Sequence, residues 1–289
     1  MDLARIFAPI AEELKEVDRE LQTVMRRVGA ESGAARGKAG ILDRIVQHPF
    51  AVPGKRIRPA LVLLTARALQ DGGSAAPDHP SLVALAGAVE VLHAASLVHD
   101  DIIDNADLRR HQVSLNKKFG NRVAVLAGDI LYTHFFSLIT GLSGVPPITR
   151  FALLDIFLDT TKSMCMGEII AQETAATGCP HPMAEYIEIA SDKTAVLFAA
   201  CCKTAAILCG ASDAQVSSLG DFGLDFGLTF QMADDTVDKD DGLEPGADLP
   251  AMAKTYAARA HEGVRRLPGG SHRDSLRDLV DYVIFSAIP

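Results

Sequence analysis

The sequence predicts an all-α fold, a helical bundle around a central cavity built as one domain over residues 1–289. Three observations carry that prediction. Nearly every long segment repeats its apolar residues at helical spacing, alternating strand patterns are scarce, and no strand–helix–strand rhythm is present. A hydrophobic fraction of 48% supplies a substantial core for a chain of 289 residues. Two apolar helical tracts each end in an aspartate cluster of the same internal spacing, Asp100-Asp101-Ile102-Ile103-Asp104 and Asp234-Asp235-Thr236-Val237-Asp238.

The elements follow in order. Leu3, Ile6, Phe7, Ile10, Leu14 and Val17 mark a first helix. Residues 29–40, GAESGAARGKAG, read as a flexible or capped connection. Helical periodicity resumes in ILDRIVQHPF and RPALVLLTARALQ, and DGGSAAPDHP at 71–80 is a surface loop. Residues 81–104 form a long core helix ending in the first acidic cluster, and NADLRRHQVSLNKKFGN connects it to a helix at 122–142. Adjacent Pro146 and Pro147 break the pattern, because neither has a backbone donor. Helical tracts at 149–175 and 183–209 precede the helix bearing the second cluster.

Composition excludes several classes. A net charge of -9, aromatics at 6% and no tryptophan argue against a general nucleic-acid surface. Cys165, Cys179, Cys201, Cys202 and Cys209 are odd in number and lack paired spacing, which disfavours a disulfide scaffold or a zinc module and points to a reducing cytosol. The N-terminus has no basic region followed by an apolar core, so it is not read as a signal peptide. No uninterrupted apolar run reaches the roughly 18 residues of a spanning helix. The expected setting is cytoplasmic, with no integral membrane segment.

The aspartate spacing carries the chemistry. Residues i and i+4 share one helical face, where like charges repel and burial penalises them further. A divalent metal is the simplest compensation, and carboxylate oxygens without cysteine or histidine favour Mg²⁺ or Mn²⁺ over zinc. Basic residues nearby add a clamp for metal-bound diphosphate. In Gly54-Lys55-Arg56-Ile57-Arg58-Pro59 the cations suit phosphate oxygens, although a solvated basic turn explains the same residues equally well. Arg109 and Arg110, just past Asp104, are better placed to wrap the same anion. His93 lies two helical turns before Asp100, and spacing alone favours a core histidine there; His99 is off the aspartate face and reads as structural. The His99-Asp100 pair also admits a metal phosphohydrolase, which leaves the duplicated aspartates unexplained.

Taken together, GKRIRP at 54–59, VLHAASLVHDDIIDNADLRR at 91–110, AVLAGDILY at 124–132, GEI at 167–169, DKTAVLF at 192–198 and FQMADDTVD at 230–238 resemble the trans-isoprenyl diphosphate synthases, the polyprenyl synthetase family. The resemblance covers about residues 1–240, and is to medium- and long-chain members. It implies an isoprenoid-synthase-like bundle that condenses an allylic diphosphate with isopentenyl diphosphate. It implies Mg²⁺ held by Asp100, Asp104 and Asp234 between the two acidic motifs, supported by Asp101, Asp235 and Asp238. Three Mg²⁺ ions are expected with the allylic diphosphate bound, and Mn²⁺ is able to substitute. Arg109, Lys193 and Gln231 would contact the allylic diphosphate or its water shell, and Thr194 would lie near the reacting end. Lys55, Arg58, His93 and Arg110 would hold isopentenyl diphosphate. The family also implies a homodimer.

The sequence departs from the family in two places. The usual RRG reads Arg109-Arg110-His111, which stiffens the loop. After Asp238 the family's glycine-lysine loop and GKxTLP region are compressed or missing, so this region is atypically short. Gly246-Ala247-Asp248-Leu249 resembles GxDL, and Lys239 or Lys254 stands in for the absent loop lysine. These departures keep open a noncatalytic or weakly active prenyl-diphosphate-binding subunit of a heteromeric synthase. Product length is read from small Ala95 and Ser96, where short-chain relatives carry bulky stops; Leu92 lies deeper, and Tyr132, Phe135 and Phe136 offer a floor or are ordinary core. The pattern favours a product longer than 15 carbons.

Overall fold

The computed structural model describes residues 2–34, 39–238 and 242–287. Among them helices dominate, as the periodicity predicts. Asp2 caps α1 (Leu3–Ile6), its carboxylate accepting from the Ala4 amide at 3.1 Å. Pro9 then cuts the predicted first helix with a 3₁₀ turn at Ala8–Ile10, and α2 runs from Ala11 to Ala34. The expected connection at 29–40 is therefore helical through residue 34. Alanine and glutamate are strong helix formers, and each glycine there costs only about 1 kcal/mol.

Next come α3 (Ala39–Gln47), a 3₁₀ turn at His48–Phe50, α4 (Ile57–Asp71) and the long α5 (His79–Ile103). The connection after the first acidic cluster contains a small antiparallel hairpin, β1 (Leu108–Arg109) and β2 (Gln112–Val113), and then α6 (Leu115–Phe119). The chain continues through α7 (Asn121–Thr140), α8 (Pro147–Thr177) and α9 (Met183–Ala190). The tract predicted as one helix at 183–209 is interrupted: a π-helical turn, Ser191–Ala195, separates α9 from α10 (Val196–Leu208). The final elements are α11 (Asp213–Asp238), α12 (Leu249–Arg265) and α13 (Ser271–Ala287).

The chain contacts group into two units. The first comprises residues 1–11, 61–78 and 145–289. Its core is the packing of α10, α11 and α12, with α8 against α10 and α13 against α11. Small residues bring α10 and α11 together: a Cβ at Gly223 would lie 2.6 Å from the Phe198 carbonyl oxygen, and one at Gly227 would lie 2.6 Å from Ala195 Cα. Phe198 fills the seam edge-on to Phe226, ring centroids 5.3 Å apart. Burying such a ring contributes about 2–3 kcal/mol.

The second unit comprises residues 12–60 and 79–144. Its main contact is α5 against α7, with α3 and α6 also packed on α7. Gly128 of α7 leaves room for the His99 ring; a Cβ there would stand 2.1 Å from Nε2. His99, one residue before Asp100, donates from Nε2 to the Val125 carbonyl at 3.2 Å. Although neither is an uninterrupted apolar run, α5 and α7 are both long and apolar enough to cross a bilayer by length and composition. In α5 83% of the most apolar window is buried within the protein, as befits a core helix; the share in α7 is 33%.

Candidate functional site

In the second unit, α5 delivers the first acidic cluster at its C-terminal end. A helix C-terminus carries a negative partial charge, so carboxylates gathered there add to an unfavourable potential. The three aspartates are not equivalent. Asp101 is buried, 3% exposed, and receives two bonds from Arg109, from Nε at 2.7 Å and Nη2 at 2.5 Å. Asp100 is half-buried and Asp104 exposed, one turn apart on the helix. Asn105 follows with φ 49°, and the Ala106 amide returns to the Asp101 carbonyl at 2.9 Å, ending the helix.

The hairpin behind the cluster sets the arginines. Arg110 and His111 occupy its two turn positions with φ 50° and 63°, the pair of left-handed conformations of a type I′ turn. Turns of this type prefer Asn-Gly, so the departure from RRG places a histidine where glycine is free of strain. Arg110 lies against Gly54, where a Cβ would stand 2.6 Å from Nη2, and donates to the Val52 carbonyl at 3.3 Å. Arg58 donates from Nη1 to Nε2 of His93 at 3.0 Å. Of the predicted group, Arg58, His93 and Arg110 are brought together, while Lys55 is exposed on the turn next to Gly54.

The electrostatics of this group favour an anion. Burial, reinforced by Arg58, Arg110, Arg109 and Arg56, pushes His93 well below the usual histidine range, leaving it neutral. Burial also lowers Arg110, partly offset by Glu90 and reinforced by Arg56 and Arg109. A negatively charged ligand reverses both penalties. Sequence reasoning missed the anchor of the basic turn. Arg56, with φ 55°, bonds Asp18 at 2.8 Å and the buried Glu90 at 2.5 Å. Burial opposes the Arg56 charge, yet Glu90 and Asp18 outweigh it and raise the group above its ordinary value. The available signal was Glu90 itself, an acid in an otherwise apolar stretch of α5.

In the first unit, α11 delivers the second acidic cluster, again at a helix C-terminus. Here too the second aspartate is held. Asp235 accepts from Tyr186 Oη at 2.5 Å on Oδ2 and from Gln231 Nε2 at 2.9 Å on Oδ1, while Asp234 is exposed. Gln231 in turn accepts from the Thr194 hydroxyl at 2.8 Å. Lys193 and Thr194 stand on the π-helical turn, a distortion common at functional sites. Gly167 permits the turn to approach α8; a Cβ there would lie 2.6 Å from the Lys193 amide nitrogen. The next residue, Glu168, pairs with Lys193 at 2.7 Å, which explains the GEI segment physically.

These groups open onto a cavity of about 570 Å³ lined by Tyr186, Lys193, Thr194, Gln231, Asp235 and His181. Tyr186 and His181 were not singled out by the sequence. Asp238 closes α11, but its side chain, like Lys239, lies outside the described residues. The segment resembling GxDL acts as a helix start: Asp248 caps α12 by accepting from the Ala251 amide at 2.9 Å. Lys254 is exposed on α12.

The donor sets fit a hard divalent ion. They offer carboxylate oxygens alone, at helix ends already negative, and an ion of this kind commonly completes its shell with water and substrate phosphate. Among the described residues no three His, Cys, Asp or Glu side chains converge into a closed cage. The chain-length candidates sit in the second unit: Leu92, Ala95 and Phe135 are fully buried, and Ser96 donates to the His93 carbonyl at 2.9 Å. Tyr132 and Phe136 are half-buried, against His99 and Phe135 respectively.

The chain is 35% identical over 216 residues to octaprenyl diphosphate synthase of Haemophilus influenzae, covering 74% of this chain and 60% of that protein. It is 34% identical over 233 residues to a prenyl transferase of Synechocystis sp., covering 81% of this chain and 66% of that one. The match thus spans about two thirds or less of each relative's length. The fold matches the crystal structure of a decaprenyl diphosphate synthase from Rhodobacter capsulatus with a TM-score of 0.83, 24% identity and full coverage of both chains. Residues 39–242 match the polyprenyl synthetase family, the trans-isoprenyl diphosphate synthases, and the chain belongs to that family.

Proposed function

We propose that this chain is a Mg²⁺-dependent trans-prenyltransferase. It condenses an allylic diphosphate with isopentenyl diphosphate into a polyprenyl diphosphate longer than 15 carbons. The observation that carries the reading is shared by both acidic helices: the second aspartate is tied down by protein donors, while its neighbour, Asp100 or Asp234, is left more accessible at the helix end. Asp100, Asp104 and Asp234 would hold Mg²⁺. When bound, the metal offsets negative charge on the diphosphate leaving group.

The remaining work falls to the chain's own residues. Lys55, Arg58, Arg110 and neutral His93 bind isopentenyl diphosphate, their mutual repulsion relieved by its charge. By resemblance to the family, Arg109, which orients Asp101, contacts the allylic diphosphate, and so do Lys193 and Gln231. Heterolysis of the allylic carbon–oxygen bond sends the electron pair to diphosphate, and the isopentenyl double bond then attacks the cation. The proton lost from the new intermediate goes to the departing diphosphate. Apolar surroundings exclude water from the cation. Ser96, next to the fully buried Ala95, would face the growing tail, and a homodimer in the cytoplasm completes the reading.

The altered region after α11 supports a second reading, a weakly active subunit of a heteromeric synthase, because Asp248 caps a helix in the GxDL-like segment. Purified protein with Mg²⁺, isopentenyl diphosphate and a panel of allylic primers tests both. Elongated products and released diphosphate are expected. Substrate binding without turnover until a second chain is added selects the heteromeric subunit, and diphosphate hydrolysis without carbon–carbon bond formation selects a phosphohydrolase.

A further inference from the structure

His181 lines the cavity of the first unit together with Lys193, Thr194, Gln231 and Asp235, yet nothing so far gives it a task. Its place is tightly determined. The His181 amide donates to the Gly242 carbonyl at 3.0 Å and its carbonyl accepts from Glu244 at 3.1 Å, forming a parallel bridge to the segment that follows α11. The imidazole stacks on Tyr186 at a 9° interplanar angle, with ring centroids 6.3 Å apart. Gly242, at φ 61°, carries no side chain; a Cβ there would stand 3.2 Å from His181 Nε2. A side chain there would crowd that edge of the ring. The other nitrogen, Nδ1, is sealed from solvent and has no hydrogen-bond partner among the described residues.

A buried ring nitrogen without a protein partner is uncommon and points to a ligand or an ordered water. Charge narrows the choice. Among the described lining residues Lys193 is the only lysine or arginine, and Glu168 already pairs with it at 2.7 Å. A diphosphate entering beside Asp235 therefore needs a further donor, and the imidazole is a lining side chain with an N–H to offer. We propose that His181 is a binding residue for the diphosphate end of the allylic ligand, supplying a donor from the loop before α9. This rests on the prenyltransferase reading and adds to it a residue that Lys193, Gln231 and the aspartates do not account for.

The test uses the full chain, inorganic diphosphate and Mg²⁺, with binding followed by calorimetry. Three variants are compared with wild type: His181→Ala, His181→Phe and Lys193→Ala. His181→Phe keeps a flat ring against Tyr186 but has no donor, so it separates contact with ligand from support of Tyr186. Wild type is expected to bind, and both His181 variants to weaken binding roughly tenfold to a hundredfold, the range of a hydrogen bond to a charged group. Steady-state assays should show a matching rise in KM for the allylic diphosphate with KM for isopentenyl diphosphate unchanged. Wild-type affinity in His181→Phe overturns the proposal. So does loss of affinity in Lys193→Ala alone, which leaves the prenyltransferase reading standing. Absence of binding by wild type overturns both.

Discussion

Arg58 donates to His93 Nε2 at 3.0 Å, so this nitrogen is an acceptor and the imidazole is held neutral amid arginines. The neutral state makes a pH prediction. Burial and the arginines depress His93 in the folded protein, whereas the unfolded chain takes up the proton near pH 6.5. The unfolded state then binds more protons below that value, so stability falls as pH drops below about 6.5. His93→Gln, which keeps an acceptor, should remove that part of the slope. Denaturant titrations of both proteins from pH 7.5 to 5.5 decide it; identical slopes would mean His93 is not the group responsible.

The unequal aspartates predict a division between activity and stability. Asp100→Ala and Asp234→Ala should each lower kcat at least about a hundredfold, a loss typical of removing charge stabilisation from a reacting centre. Each should change thermal stability little, because removal also relieves repulsion at a helix C-terminus. Asp101→Ala should instead cost about 2 kcal/mol, since it strands Arg109; the full cost of a buried pair is reduced because Arg109 is 37% exposed. Paired melting and turnover measurements give the answer. Equal destabilisation by Asp100→Ala and Asp101→Ala would refute the division.

His111→Gly should stabilise the protein by about 1 kcal/mol, because a non-glycine residue pays roughly that much for a left-handed conformation. The residue sits at φ 63° in the hairpin turn beside Arg110. Thermal melts are the measurement, and a lower melting temperature would show that the His111 side chain compensates its backbone.

Product length can be probed at two neighbouring positions. Ala95 is fully buried, so Ala95→Phe should overpack the core and cost about 1–3 kcal/mol. Ser96 is 9% exposed, and Ser96→Phe should fold and shorten the product. Chromatography of the products reads the outcome; an unchanged length with Ser96→Phe would put the tail elsewhere.

Much of this protein was legible in its residues. Periodicity located α5, α7, α8 and α11, and the paired aspartates marked the ends of two of them. Local chemistry suffices there: apolar spacing selects a helix, and a set of oxygen donors selects a hard metal. The π-helical turn under Lys193 was not legible, because 183–209 has uninterrupted helical character and the distortion accompanies a close approach of α8 at Gly167. The α2 extension was missed for the opposite reason, since glycines overstated a break that alanine and glutamate bridge.

The sequence by itself determined the helical class and the family, and it marked the residue types expected to meet phosphate and metal. Only the tertiary structure decided the different tasks within each set. It bound Asp101 to Arg109 and Asp235 to Tyr186, and it anchored Arg56 between Asp18 and Glu90. It also set His181 beside Gly242, 61 positions away in sequence. The physical reason is that these roles rest on burial and on partners distant in sequence. Two adjacent aspartates are chemically identical until packing gives each its own burial and its own neighbours.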